Sequence, residues 1–425
     1  MNEKKVIVIG GGVSGISFGY LLKRLYGNTS DFLIIERGNQ IEKRKCEVIE
    51  NGKCGNCNIC NIVSGSGGGG FYSDGKVIEN SGWYEKDFNS EEIEEANTFL
   101  KKEILSLYPN YLVFDPENYK SNKIENIISL VKSLGFEISL RKVYWYGSEE
   151  IRNLSKKLES YVKDRIVYNS NVEKITKEGR RYKLTLSFEN NKHEIYTQNV
   201  IIATGRYFDW TNLFKDSNIL VEYLISKPHV GVRVEVEGNP FEHLTSIFYD
   251  VKLYKYNLRT FCFNPYGVVI QEKHPSGEVS VNGLSFRYKK YNYTNFAIIG
   301  PDIPYIRTYN PLYIPMDEID GTFGGIEKGT LKNSIYEKRL MEILPSKLVD
   351  FLRDLQNIAN YKLKGVLYYP EIKLNVRIPK TKRFKYPEEN IYFIGESTGR
   401  LVGIWASIIS SILLLKDFEN IRIFS

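Results

Sequence analysis

The chain opens on an apolar run, Lys5-Val6-Ile7-Val8-Ile9, that stops at Gly10-Gly11-Gly12-Val13-Ser14-Gly15. Residues Ile16 to Leu25 then read as a helix, and Phe32-Leu33-Ile34-Ile35 as a second buried strand ending at Glu36. Strand, glycine turn, helix, strand and acid, in this order and spacing, predict a dinucleotide-binding unit. Gly10 makes the tight turn, Gly12 lacks a Cβ so that the backbone can approach a pyrophosphate, and Gly15 lets the helix sit close to the strand. The helix N-terminus offers N–H groups and a positive dipole end to phosphates. Glu36, 21 residues after Gly15, is spaced to accept hydrogen bonds from ribose hydroxyls.

The pattern then becomes mostly helical from Trp83 to Leu134, with one helix opening after Asn89-Ser90, a capping pair. Residues 151–204 read as a helix followed by short strands, among them Asn171–Ile175 and Tyr182–Leu186. From 215 to 375 the texture changes to alternating strands rich in Tyr, Val and Phe, such as Val230–Val236, with two helices around 332–358. This order predicts an α/β protein in two parts. A discontinuous Rossmann-like nucleotide-binding domain takes 1–214 and 376–425, and an inserted mixed, largely antiparallel β substrate domain takes 215–375.

Two later segments narrow the nucleotide. Asn199-Val200-Ile201-Ile202-Ala203-Thr204-Gly205-Arg206 resembles the ATG segment by which flavoproteins return to the nucleotide sheet. Ile391-Tyr392-Phe393-Ile394-Gly395-Glu396-Ser397-Thr398-Gly399 resembles the GD-type FAD motif, with Glu396 in place of the commoner Asp. The resemblance implies FAD, held by Gly10, Gly12, Val13, Ser14, Gly15, Glu36, Arg37, Ala203, Thr204, Gly205, Gly395, Glu396, Gly403 and Ile404. The helix from Gly403 to Leu415 then directs its N-terminus at the N1/O2 edge of the flavin.

A narrower likeness follows. Gly67-Gly68-Gly69-Gly70-Phe71-Tyr72-Ser73-Asp74-Gly75-Lys76 is similar to the GGAG-x-x-SDGK stretch of the group called uncharacterised FAD-dependent dehydrogenases, which have a glutathione-reductase-like FAD fold. Arg259 to Gly267 and Val281-Asn282-Gly283 resemble that group's RTFC-x-x-PGG and NG pair. Gly69, Tyr266 and the run Gly399-Arg400-Leu401-Val402-Gly403-Ile404 depart from its pattern. The resemblance implies an FAD-dependent dehydrogenase or reductase passing a hydride or electron pair through flavin N5 to a small molecule. A flavin monooxygenase is one alternative, and an electron-transfer flavoprotein with a cysteine-ligated metal centre is another. Asp74, Lys76, Asn282 and Arg233 are the catalytic candidates. Arg233 alternates with Val232 and Val234, so it either binds a substrate carboxylate or lies on a solvent face. Between Thr211 and Asn390 there is no second strand–GxGxxG–helix unit, which predicts poor reduction by NADH or NADPH and leaves room for a protein electron partner.

Composition adds exclusions. Hydrophobic content of 42% and charged content of 26% are those of a folded globular chain. A net charge of +7 without a basic stripe argues against nucleic acid. The longest apolar run, Leu401 to Leu415, is too short for a bilayer, and no signal peptide precedes the first strand, so a cytoplasmic location without a membrane partner is expected. Four of the five cysteines fall at Cys46, Cys54, Cys57 and Cys60. Three readings stand open: ligands of an iron–sulfur cluster or zinc, a redox thiol pair beside the flavin, or reduced thiols in a loop.

Overall fold

Three apolar runs far apart in the sequence lie side by side in one sheet. The structure, a computed structural model, describes residues 3–80, 87–118, 122–189, 191–215, 217–275, 277–359, 361–373 and 377–420. The first strand, Glu3–Ile9, runs parallel to Phe32–Ile35 on one side and to the end of Asn191–Ile202 on the other. Ile391–Phe393 adds a further parallel strand beyond that. Ile166–Val167 extends the other edge, and Ser170–Glu178 and Arg181–Phe188 form an antiparallel meander leading into Asn191–Ile202. Helices Val13–Tyr26, Gly147–Val162 and Gly403–Asn420 cover one face, burying Ile16, Leu21, Leu154, Trp405 and Ile409 against Val6 and Val8. A second apolar layer on the other face joins Ile7 and Ile9 to Leu184, Trp210 and Phe393. Burial on both faces is why these strands read as unbroken apolar runs.

The second large sheet has nine strands and is built around His229–Glu237, which lies between Tyr293–Gly300 and Lys364–Lys373. Leu258–Asn264 and Lys252–Lys255 continue it outward. One face packs Val230, Val232, Leu253, Leu258 and Ile298 against helix Ser346–Ala359 through Phe351, Leu352 and Leu355. The expected boundary moves here. Helix Asn122–Ser133 and strand Glu137–Ser139, assigned from sequence to the first domain, join this second core through Ile124, Ile127, Val131 and Phe136. The chain therefore crosses between the two cores four times.

Asn89 caps helix Ser90–Glu103 as its sequence suggests. Its side chain accepts from the Glu92 N–H at 2.9 Å, and Glu92 accepts the Asn89 N–H at 2.9 Å. Trp83, where the helical stretch was expected to begin, lies outside the described residues. Among those residues, no helix is long and apolar enough to cross a membrane. A short hairpin, Val268–Lys273 with Val279–Leu284, packs on the second sheet and carries Glu272 and Asn282 to the cavity wall.

Candidate functional site

A cavity of about 590 Å³ lies between the two sheets, a size that takes a cofactor or a drug-sized ligand. Its first wall is the glycine turn, where each glycine has a different reason. Gly10 has φ +104°, and a Cβ there would fall 2.5 Å from the Ala203 carbonyl oxygen. A Cβ on Gly15 would fall 1.9 Å from the Gly10 carbonyl oxygen. Gly12 differs from both: φ is −70°, and the nearest atoms to a Cβ, Ala203 O and Gly68 Cα, are 3.9 Å away. No protein atom needs Gly12 to lack a side chain, and a side chain there would enter the cavity. The helix that follows has no side-chain cap and no acid in its first turn, so its N-terminal N–H groups are left for a ligand.

Glu36 closes the far end of the turn. Its carboxylate accepts from the N–H groups of Gly11 at 2.7 Å, Gly38 at 2.8 Å and Gly65 at 3.0 Å. Arg37 donates to Ser64 Oγ at 3.1 Å and also faces the cavity. On the next strand, Ala203, Thr204 and Gly205 sit beside Gly10, and the Gly205 N–H donates to Ser397 Oγ at 3.0 Å. Glu396 is gripped by Arg206, with Nε to Oε2 at 2.7 Å, and it accepts the Gly403 N–H at 3.0 Å. Burial opposes the charge on Glu396, but the Arg206 guanidinium outweighs it and holds the carboxyl below its ordinary value. All the cofactor-binding residues expected from sequence line the cavity except Gly15 and Gly395, which lie behind it. A Cβ on Gly395 would come 2.5 Å from Ser14 Oγ, so that glycine serves close packing.

Sequence reasoning missed the residue that shapes the second glycine run. Arg44 is buried and donates to the carbonyl oxygens of Asn61 at 2.7 Å, Ile62 at 3.0 Å, Ser66 at 2.6 Å and Gly68 at 2.9 Å. Burial lowers its pKa to about 10. The loop it ties lies directly on the turn, with the Gly67 N–H donating to Gly11 O at 2.7 Å. A lone arginine before a cysteine carries no motif, so only the fold reveals it.

The opposite wall holds the catalytic candidates, and the structure joins all four in one buried network. Lys76 contacts Asp74 at 2.7 Å and Asp250 at 3.5 Å, and Asn264 Nδ2 donates to Asp74 at 2.7 Å. Burial works against the Lys76 charge, yet the two carboxylates raise its pKa. Asn264 Oδ1 also accepts from Arg233 at 3.1 Å, which in turn reaches Asn282 Oδ1 at 3.4 Å. Asn282 Nδ2 donates to Glu272 at 2.9 Å. Glu272, unnoticed in the sequence, lines the cavity with its carboxyl pushed up to about 7 by burial.

Arg233 requires correction. It is fully buried, so it has no solvent face. Its donors go to Glu371 at 2.9 and 3.1 Å, Asn295 at 2.9 Å, Asn264, Asn282 and the Cys262 carbonyl. With five N–H groups spent inside the protein, none is left for a substrate carboxylate. Alternation holds, since Arg233 faces away from Val232 and Val234, but the face opposite the apolar core is covered by this polar network instead of by solvent.

The cysteines also correct the expectation. Among the described residues, no group of three or more His, Cys, Asp or Glu side chains is arranged to hold a metal, so neither zinc nor an iron–sulfur cluster is supported. Cys46, Cys54, Cys57 and Cys60 are all unpaired. Three of them rest against Val48, Ile62 and Ile270, while Cys57 is exposed. Burial pushes the Cys46 thiol up to about 12 and raises Cys60 as well. The segment is tied to the chain at 332–333 instead: the Lys332 N–H donates to Gly52 O at 2.8 Å, and the Cys54 N–H donates to Asn333 Oδ1 at 3.3 Å.

No family model matches the chain. A protein of Clostridium beijerinckii described as uncharacterised is 24% identical over 309 residues, 70% of this chain and 51% of that protein. The chain thus spans about half the length of that curated relative. The chain is similar to glycine oxidase from Geobacillus kaustophilus, with 12% identity over 99% of this chain and 95% of that one, at TM-score 0.44. It is also similar to a flavoprotein/dehydrogenase from Cytophaga hutchinsonii, with 11% identity, 98% and 79% coverage and TM-score 0.41. CabE, an aromatic hydroxylase from angucycline biosynthesis, is matched at 11% identity and TM-score 0.43 over 96% of this chain and 60% of its own.

Proposed function

We propose that the protein is an FAD-dependent oxidoreductase acting on a small molecule held between the two sheets. The observation that carries this reading is the clear space over Gly12. It is bounded by a helix N-terminus, by Glu36 and by the Ala203–Gly205 turn, and it opens into a cavity that also reaches Glu396 and Gly403. These donors and acceptors fit a dinucleotide: N–H groups for the pyrophosphate, a carboxylate for a ribose, and a second carboxylate for a polyol chain. Residues 1–214 and 376–425, apart from the helix and strand at 122–139, then serve as a discontinuous, Rossmann-like FAD domain of the glutathione-reductase type, and 215–375 with 122–139 form the substrate side.

Bound FAD supplies acceptance and release of a hydride or electron pair. The chain's part is to orient the cofactor through the Gly12–Ser14 N–H groups, to exclude water with Phe261, Ile299 and Ile404, and to hold charge in place. Lys76, fixed between Asp74 and Asp250, keeps an immobile cation at the cavity wall. Glu272, its carboxyl pushed up to about 7 by burial, is a lining group able to exchange a proton there.

The test is direct. The protein is purified, precipitated with acid, and the released flavin identified by chromatography. About one equivalent of FAD per chain is expected on binding stoichiometry for one such turn. A protein that neither retains FAD nor rebinds it after stripping refutes the reading.

A further inference from the structure

The face of the nine-stranded sheet turned toward the cavity carries more cations than carboxylates: Lys252, Arg259 and Lys373 against Glu371. Cross-strand register puts Tyr254 opposite Arg259, Arg259 opposite Ile299, Ile299 opposite Gly231, and Gly231 opposite Glu371. Period-two alternation adds Lys252, Phe261 and Lys373 to the same face, and all but Gly231 line the cavity. The opposite face is the apolar core, so these residues have nowhere else to point.

The acids along this wall are already committed. Asp74 and Asp250 hold Lys76, and Asp250 also lies 3.6 Å from Lys252. Glu371 holds Arg233, Glu396 holds Arg206, and Glu272 accepts from Asn282 and Ser280. Arg259 and Lys373 differ. Among the described residues, neither makes an ion pair or a side-chain hydrogen bond. The Arg259 guanidinium carbon lies 5.1 Å from the Phe261 ring centre, and the side chain lines the cavity. Burial, with Arg206 and Arg259 nearby, pushes Lys373 down to about 8, more than the nearby Glu396, already gripped by Arg206, offsets. Two partly buried cations that make no direct ion pair among the described residues, beside Tyr254, Phe261 and Ile299, make a site for an oxyanion attached to an apolar body.

We infer that the substrate is an organic anion, with its carboxylate or phosphate bound by Arg259 and Lys373 and its apolar part lying along Phe261, Tyr254 and Ile299. This rests on the FAD reading for what the substrate is brought against, and it transfers the anion-binding role once expected of Arg233 to these two residues. Arg259 supplies a fork that can clasp two oxygens at once, and Lys373 adds a point charge.

Flavin-loaded protein is titrated with benzoate, phenyl phosphate and the neutral isostere benzamide, followed by flavin absorbance and by calorimetry. At least one anion should bind at least tenfold more tightly than benzamide, and that preference should disappear in Arg259→Met and Lys373→Met. Both variants should keep their FAD. The inference is overturned if neither anion outbinds benzamide, or if the variants bind the anions as wild type does. It is equally overturned if the variants lose FAD, because the two cations then belong to the cofactor. A wild-type protein that never holds FAD sinks the underlying reading instead; flavin-free protein titrated by calorimetry still decides the anion preference.

Discussion

Replacing Gly12 with valine separates the ligand role of the turn from its structural role. The backbone at Gly12 is extended, at φ −70°, so an L-residue meets no conformational strain. A Cβ there has 3.9 Å of clearance, ordinary van der Waals contact. Gly12→Val should therefore fold with stability within about 1 kcal/mol of wild type, as expected of a substitution facing open space. Its two methyl groups would stand where the pyrophosphate must approach the helix N-terminus. Losing two charge-assisted hydrogen bonds at about 1.5–3 kcal/mol each removes roughly 3–6 kcal/mol of FAD affinity, some 10²- to 10⁴-fold. Gly15→Ala is the contrasting change. Its Cβ would fall 1.9 Å from Gly10 O, so the turn must shift and stability should drop by about 3 kcal/mol or more. Flavin-to-protein absorbance ratios and melts of the flavin-stripped proteins read the two effects separately. Stoichiometric FAD in Gly12→Val, or a melting loss as large as that of Gly15→Ala, would refute the reasoning.

Arg206→Gln leaves Glu396 without its partner and should cost roughly 3 kcal/mol at neutral pH. Because Glu396 is held below its ordinary value, that gap should close as pH falls below about 4.5, and a pH-independent gap in urea melts would contradict the pairing. Glu272 behaves in the opposite sense. Its carboxyl sits near 7 against an ordinary 4.5, so the folded chain keeps a proton the unfolded chain has released, and stability falls as pH rises through this range. Flavin-free Glu272→Gln should gain on wild type over that interval by on the order of 3 kcal/mol, and parallel pH profiles would count against it. Among the thiols, exposed Cys57 should react first with Ellman's reagent, with Cys46 and Cys262, pushed up to about 12 and 11, reacting slowly. Equal rates would show the burial to be wrong.

The strand–glycine turn–helix–strand unit was legible because its signal is local. Val6–Ile9, the glycines and Glu36 lie within 36 residues, and their roles follow from adjacent backbone. The same holds for Asn89 and Glu92, three positions apart. What the sequence hid depends on distant partners. Arg233 reads as an alternating strand residue until the contacts to Asn264, Asn295 and Glu371 close around it. CxxC spacing suggests a thiolate centre, but it is blind to Lys332 and Asn333, whose hydrogen bonds tie the segment down. Glu272 and Lys373 have no motif at all; they matter because strand register brings them to one cavity.

The fourfold passage of the chain between its two cores has a consequence for biosynthesis. Helix Asn122–Ser133 leaves the ribosome about 230 residues before Lys364–Lys373, a central strand of the sheet whose core it joins. At roughly 5–20 residues per second, that is a wait of about 10–50 s with Ile124, Ile127 and Val131 uncovered. Neither core can be completed by a contiguous stretch of chain, so a fragment such as 215–375 expressed alone would lack part of its own interior. Completion of either core therefore waits on contacts of long sequence separation, which are slow to form.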